Sequence, residues 1–156
     1  MWRRPDAPDR PAAGDRAERF DRYLQVLFAR GVWTRAQIVR KLTAKGASGD
    51  EAEALAGRWQ QGGFIDDAAY ALLFVDGHPG WGVRRLRDEL RRRGVSEAVI
   101  GEALEELDEE RAALSTAREW LESGVERRKV EDRLLRRGFS PSAVRRALAA
   151  FAGDDL

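Results

Sequence analysis

Arginine is the residue type with the most chemistry to offer in this chain, and it is concentrated in two stretches. Over residues 84–93, within WGVRRLRDELRRRG, six arginines stand against Asp88 and Glu89, a local charge of +4. Over residues 127–137, Arg127, Arg128, Lys129, Arg133, Arg136 and Arg137 stand against Glu131 and Asp132, again +4. A guanidinium is permanently charged and offers a planar fork of N–H donors that matches a carboxylate or a phosphate, so the chemistry on offer is anion recognition. The residues expected to touch a partner or DNA are Arg84, Arg85, Arg87, Arg91 and Arg92 in the first stretch, and Arg127, Arg128, Lys129 and Arg133 in the second.

The first stretch has helical spacing. Val83, Leu86 and Leu90 share one face, and Arg84, Arg87 and Arg91 repeat that spacing on the other. Pairing at i, i+4 matches Arg84 with Asp88, Asp88 with Arg92, Arg85 with Glu89 and Glu89 with Arg93. Arg87 and Arg91 are left facing each other, which suits an external anion. Arg92 and Arg93 precede Gly94, where cations complement the negative end of a helix.

Other chemistries find little support. Asp66 and Asp67 are adjacent carboxylates with no third ligand, histidine or nucleophile nearby, and a helix-capping role explains them. His78 is the sole histidine and cysteine is absent, which excludes disulfides and cysteine–histidine zinc sites. No P-loop glycine cluster and no nucleophile paired with a base is present. The expectation is therefore a protein without catalytic residues, metal or cofactor, and not an enzyme. No apolar run approaches the roughly 20 residues that span a bilayer, and no signal peptide is visible, so a soluble, cytoplasmic protein is expected, without a membrane partner. Net charge is only +1 over 156 residues, but residues 97–110 carry seven acids and no base. Such striping of opposite signs suits a protein partner with matching patches better than a uniform nucleic-acid groove.

These charges are positioned by a repeat. Aligned on glycine, KLTAKGAS, ELRRRGVS and RLLRRGFS bring Gly46, Gly94 and Gly138 into register. Ahead of the glycine stand Ile38 and Leu42, Leu86 and Leu90, then Val130 and Leu134. Behind it, Ala52, Ala56 and Trp59 correspond to Ile100, Leu104 and Leu107, and to Val144, Leu148 and Phe151. Each glycine is expected at positive φ, ending one helix and turning sharply into the next. In this register Arg87 aligns with Val39 and Glu131, and Arg91 with Thr43 and Leu135, so the central stripe belongs to the middle repeat alone. The expected fold is all-α, an elongated array of three tandem three-helix repeats totalling nine helices. Its boundaries are a disordered arm over 1–16, repeats over 17–63, 64–110 (with the central basic helix at 83–93) and 111–152, and a tail over 153–156. No heptad or long apolar edge calls for an obligate dimer, so a monomer is expected.

The elements GGFIDDAAYA and GWGVRRLRDELRRRGVSEAVIGEAL, flanked by KLTAKG and RLLRRGFS, resemble the RecX family of bacterial regulatory proteins, over roughly residues 17–151. The resemblance implies a non-enzymatic modulator of the RecA recombinase, lying in the groove of the RecA filament on single-stranded DNA. It also implies inhibition of ATP hydrolysis, strand exchange and coprotease activity, and so restraint of recombination and the SOS response. The chain departs from the family upstream of the central helix, where DGHPGWG replaces a more basic, Gly-Pro lead-in. The alternative reading is a direct single-stranded nucleic-acid binder, with Trp33, Trp59, Trp81 or Trp120 as stacking platforms. Single-stranded or double-stranded DNA also remains as a weak auxiliary partner of the filament regulator.

Overall fold

The computed structural model describes residues 13–152. Among them are nine α-helices and no strand: α1 (Ala13–Arg30), α2 (Arg35–Ala44), α3 (Gly49–Gln61), α4 (Asp67–Asp76), α5 (Val83–Arg92), α6 (Glu97–Leu104), α7 (Glu109–Glu122), α8 (Arg127–Arg136) and α9 (Pro141–Ala149). Residues 1–12, with Arg3, Arg4 and Arg10, and the tail over 153–156 lie outside the described residues. Residues 13–16, expected in the disordered arm, are instead the first turn of α1. Arg16 accounts for the earlier start. Its Nε donates to Glu51 Oε2 at 2.8 Å, and its guanidinium lies 5.5 Å from the centre of the Phe20 ring.

Two compact units are formed. The first comprises the described residues up to Trp33 together with Ile38–Ile65. Phe20 and Leu24 of α1, Ile38 and Leu42 of α2, and Ala52, Leu55 and Ala56 of α3 are buried together, closed off by Ile65. Trp59 stacks on Phe28 with ring centres 5.4 Å apart and donates from its indole nitrogen to Asp21, so its apolar body is packed and its one donor satisfied.

The second unit comprises Thr34–Gln37 and the described residues from Asp66 onward. It holds two cores, one built on Ala71, Leu86, Leu90 and Ile100, the other on Ala113, Val130, Leu134 and Val144. In both units the repeated apolar offsets are core positions: Ile38, Leu42, Leu86, Leu90, Val130 and Leu134 are all at most 1% exposed.

The repeated turns share one hydrogen-bond pattern. Ala47, Val95 and Phe139 donate their backbone N–H to the carbonyls of Leu42, Leu90 and Leu134 at 3.0–3.2 Å, and all three are buried. Gly46, Gly94 and Gly138 lie at φ of 101°, 82° and 86°, as the glycine register predicts. This is a left-handed helix stop with an apolar residue tucked under it. The following helices are capped by Ser48, Ser96 and Ser140, each accepting from the backbone N–H three residues on. Thr34 and Gln37 make a reciprocal cap, with bonds of 2.9 and 3.1 Å. Both aspartates of the adjacent pair are caps too: Asp66 accepts from Ala69 N, and Asp67 from Arg35 N at 2.9 Å.

Within the second unit, the turns at Gly94 and Gly138 each also receive the start of another helix. A β-carbon on Gly94 would stand 2.2 Å from Ala36 Cβ, beside the Thr34 hydroxyl that donates to Arg93 O at 2.6 Å. One on Gly138 would stand 2.5 Å from Arg85 Cβ, and one on Gly82 would stand 2.2 Å from Phe139 N. Gly82 N donates to Arg137 O at 2.8 Å and Arg84 N to Gly138 O at 3.2 Å, so two backbones meet directly.

Gly124, at φ 90°, has open space where a β-carbon would stand, with no atom within 4 Å, which separates backbone strain from steric overlap. Gly124→Ala is expected to cost about 1–2 kcal/mol through positive φ alone. Gly94→Ala is expected to cost more, and Gly94→Val more again, because Ala36 must also be displaced. Urea denaturation followed by circular dichroism checks the ranking; equal losses at Gly124 and Gly94 would mean that the Ala36 seat yields freely.

Candidate functional site

Helix α5 is amphipathic because Leu86 and Leu90 are driven into the core while arginines fill most of the remaining positions. The structure distributes those arginines differently from the i, i+4 expectation. Glu89 does pair with Arg93, at 2.8 Å, and it also takes Arg92 at 3.2 Å. Asp88 pairs with Arg91 at 3.3 Å rather than with Arg84 or Arg92. Arg85 turns back to place its guanidinium 3.9 Å from the centre of the Trp81 indole. Trp81 is itself stacked on His78 and set edge-on to Phe74, so it packs at the lead-in to α5.

Arg87 and Arg91, expected to face only each other, both reach Glu97 at the start of α6. Arg87 Nη1 lies 3.2 Å from Glu97 Oε2, and Arg91 Nε donates to Glu97 Oε1. Intrahelical spacing could not reveal this, since the carboxylate comes from across the Gly94 turn. Arg91 donating to it holds the Glu97 carboxyl below the usual carboxylate range, with Arg87 adding to the effect; the Arg91 guanidinium is pushed up in return. Arg93 does the same to Glu89 and spreads its guanidinium 4.5 Å from the Phe74 ring centre, a structural role.

Arg84 has a different partner. Its Nη2 donates to the Leu135 carbonyl at 2.9 Å, so a neutral group meets one of its donors, and among the described residues no carboxylate pairs with it. A cleft of about 370 Å³ opens beside it, with Val83, Arg84, Arg87, Glu109, Phe139 and Pro141 among its lining residues. Glu109 was not anticipated. Its Oε1 accepts from Ser140 N at 2.9 Å and from Val83 N at 3.4 Å, and its Oε2 from Ser140 Oγ at 3.2 Å, bridging the N-termini of α5 and α9. The sequence shows it only as one of seven acids between residues 97 and 110.

On α8, Val130 and Leu134 are buried and the basic residues lie outside. Arg127 donates to the Leu148 carbonyl at 2.7 Å, and Arg133 lies 5.6 Å from the centre of the Trp120 ring, which Arg137 also approaches. Arg128 and Lys129 are exposed, and among the described residues neither has a charged or hydrogen-bonding partner. The nine expected contact residues thus fall on two helices of one unit. Among the described residues Arg84, Arg127, Arg128, Lys129 and Arg133 make no ion pair, whereas Arg87, Arg91 and Arg92 do.

Residues 66–104, which include α4 to α6, match the family model described as RecX, second three-helix domain. Over 91% of its length the chain is 32% identical to regulatory protein RecX of Stenotrophomonas maltophilia (strain K279a), 94% of which is covered. The chain belongs to the RecX family. It is also 42% identical to regulatory protein RecX of Thermus thermophilus across 58% of the chain and 63% of that protein. Of solved structures, a crystal structure of regulatory protein RecX superposes with a TM-score of 0.71 at 25% identity, covering 86% of this chain and 72% of that one. RecX from Lactobacillus salivarius superposes at 0.77 with 16% identity, over 88% and 97%, and shares the fold. No helix among the described residues is long and apolar enough to cross a membrane.

The Glu97 carboxyl is expected to titrate below the ordinary value of about 4.3. Because the folded value is lowered, the stabilisation it provides is complete above the unfolded value and is lost as pH falls through the folded one. Carbon-detected NMR titration of the Glu97 side chain checks this. Arg91→Gln should return its midpoint toward the ordinary value, and an unchanged midpoint would show that Arg91 is not the cause.

Proposed function

We propose that the chain is a non-enzymatic cytoplasmic regulator that binds as a monomer in the groove of a RecA filament on single-stranded DNA. It inhibits ATP hydrolysis, strand exchange and coprotease activity there, and so restrains recombination and the SOS response. The observation that carries this reading is the likeness to RecX proteins along almost the whole chain, rather than over one motif. The charge arrangement is compatible with it. Two basic helices, α5 and α8, belong to one unit, and each carries cations that no carboxylate among the described residues neutralises.

Direct binding of single strands is the weaker reading. The four tryptophans that would supply stacking platforms are engaged: Trp33 donates to Leu27 O and lies under Lys41, Trp59 stacks on Phe28, Trp81 on His78, and Trp120 meets Arg133 and Arg137. Arg128 and Lys129, without partners among the described residues, favour DNA phosphates as an auxiliary contact.

The experiment is ATPase inhibition of the cognate recombinase on single-stranded DNA, set against binding of the chain to that DNA alone. Inhibition at concentrations well below those needed for DNA binding is expected, and the reverse order would favour the nucleic-acid reading. Reversing Arg128 and Lys129 to glutamate together should weaken inhibition most at low ionic strength, where exposed charges are least screened. Stability should stay within about 0.5 kcal/mol per site, since neither side chain holds the fold. Unaltered inhibition by this variant would remove the α8 face from the contact.

A further inference from the structure

We propose that the cleft between the N-termini of α5 and α9 receives an acidic side chain, flanked by an apolar one, from a peptide segment of a protein partner. The inference deepens the filament-regulator reading and rests on it: the segment is supplied by the recombinase.

Four features of the cleft point to that occupant. Its volume, about 370 Å³, lies at the small end of ligand sites and accommodates one or two side chains. Its charged lining comprises Arg84, Arg87 and Glu109, and because Arg87 is paired with Glu97 outside the cleft, Arg84 supplies the charge that no carboxylate among the described residues takes up. Arg84 spends one of its donors on a carbonyl and keeps its full charge, and Arg87, half-buried, holds Glu97 at 3.2 Å through one nitrogen. Both helices that open onto the cleft lack an acid in their first turn, so their own sequences supply nothing to offset their positive ends.

Glu109 indicates what such a place accepts. A carboxylate already lies across the two helix starts and takes the N–H groups of Val83 and Ser140. With those donors occupied, an incoming anion meets the Arg84 guanidinium, with Arg87 beside it, and the side chain next to it meets Val83 and Pro141.

The wall chemistry favours peptide over nucleic acid. A single strand gains affinity by stacking bases on open aromatic faces. The one aromatic lining this cleft, Phe139, is 1% exposed, and the remaining apolar surface is aliphatic. An aliphatic pocket rimmed by guanidiniums matches an Asp or Glu next to a Leu, Ile or Val, with the apolar contact adding what charge steering alone does not.

The test uses the full chain, a fluorescein-labelled peptide of alternating leucine, aspartate and glutamate, and a thymidine oligonucleotide of equal formal charge, compared by anisotropy at one ionic strength. Arg84→Gln with Arg87→Gln should weaken peptide binding at least about tenfold, as loss of a desolvated charge contact does. Arg22→Gln with Arg40→Gln, which removes the same charge at exposed positions outside the second unit, should leave it unchanged. Because Arg84 also holds Leu135, a second variant guards against misfolding: Pro141→Asp places a carboxylate at the rim, where the α9 dipole welcomes it, and should block the peptide in a chain that melts no earlier. The peptide should also relieve inhibition of the recombinase ATPase. Equal peptide binding by both Gln pairs, or loss of oligonucleotide rather than peptide binding in Arg84→Gln with Arg87→Gln, overturns the proposal. Inhibition that persists while no peptide binds removes the cleft and leaves the filament reading standing. Peptide binding with the expected variant pattern, in a chain that does not inhibit the recombinase, confirms the acidic-peptide cleft and refutes the recombinase as its source.

Discussion

The seat of Gly82 against the turn at Gly138 is the constraint on which the second unit depends. Two backbones approach closely enough for Gly82 N and Arg84 N to bond Arg137 O and Gly138 O, and neither glycine has room for a β-carbon. Side-chain packing tolerates adjustment by rotamer changes, whereas a backbone contact of this kind does not. The start of α5 is therefore held at a fixed distance from the start of α9. That juxtaposition lets one carboxylate, Glu109, span both helix termini and brings Arg84 within reach of Leu135 O.

Charge on α5 is then divided by what each arginine can reach. Those toward the C-terminus find carboxylates: Arg91 and Arg87 share Glu97, and Arg92 and Arg93 share Glu89. Those near the N-terminus find neutral partners, a carbonyl for Arg84 and an indole face for Arg85. The helix is thus largely self-neutralised toward its C-terminus, whereas Arg84 at its start meets no carboxylate among the described residues, although the residue types along the helix are nearly uniform. Exposed pairs such as Arg92 with Glu89 contribute little to stability, so their main effect is to decide which cations remain available.

The fold was legible in the sequence because its signals are local. The repeated apolar offsets, the three register glycines and the caps at Thr34, Ser96 and Ser140 all report on contacts within a few residues or on a single turn, and they recur. The candidate contact surface was legible only in outline. Placement of the basic helices followed from spacing, but the pairing of Arg87 and Arg91 with Glu97 crosses a turn, and Arg84 meets a backbone carbonyl 51 residues away. A carbonyl has no residue type to betray it. Glu109 was hidden among neighbouring acids, and the start of α1 was placed too late because the Arg16 contact with Glu51 spans 35 residues.

In the repeat register, Gly82 occupies the place held by Thr34 in the first copy and Glu126 in the third. Thr34 uses its side chain there, buried and bonded to Arg93 O, whereas Gly82 must present none. The three copies are alike in their cores but not interchangeable: transplanting the first into the middle position would bring a threonine side chain against the Gly138 backbone. Duplication could multiply such a unit freely, but once the middle copy settled against the third by bare backbone, their order along the chain could no longer be shuffled.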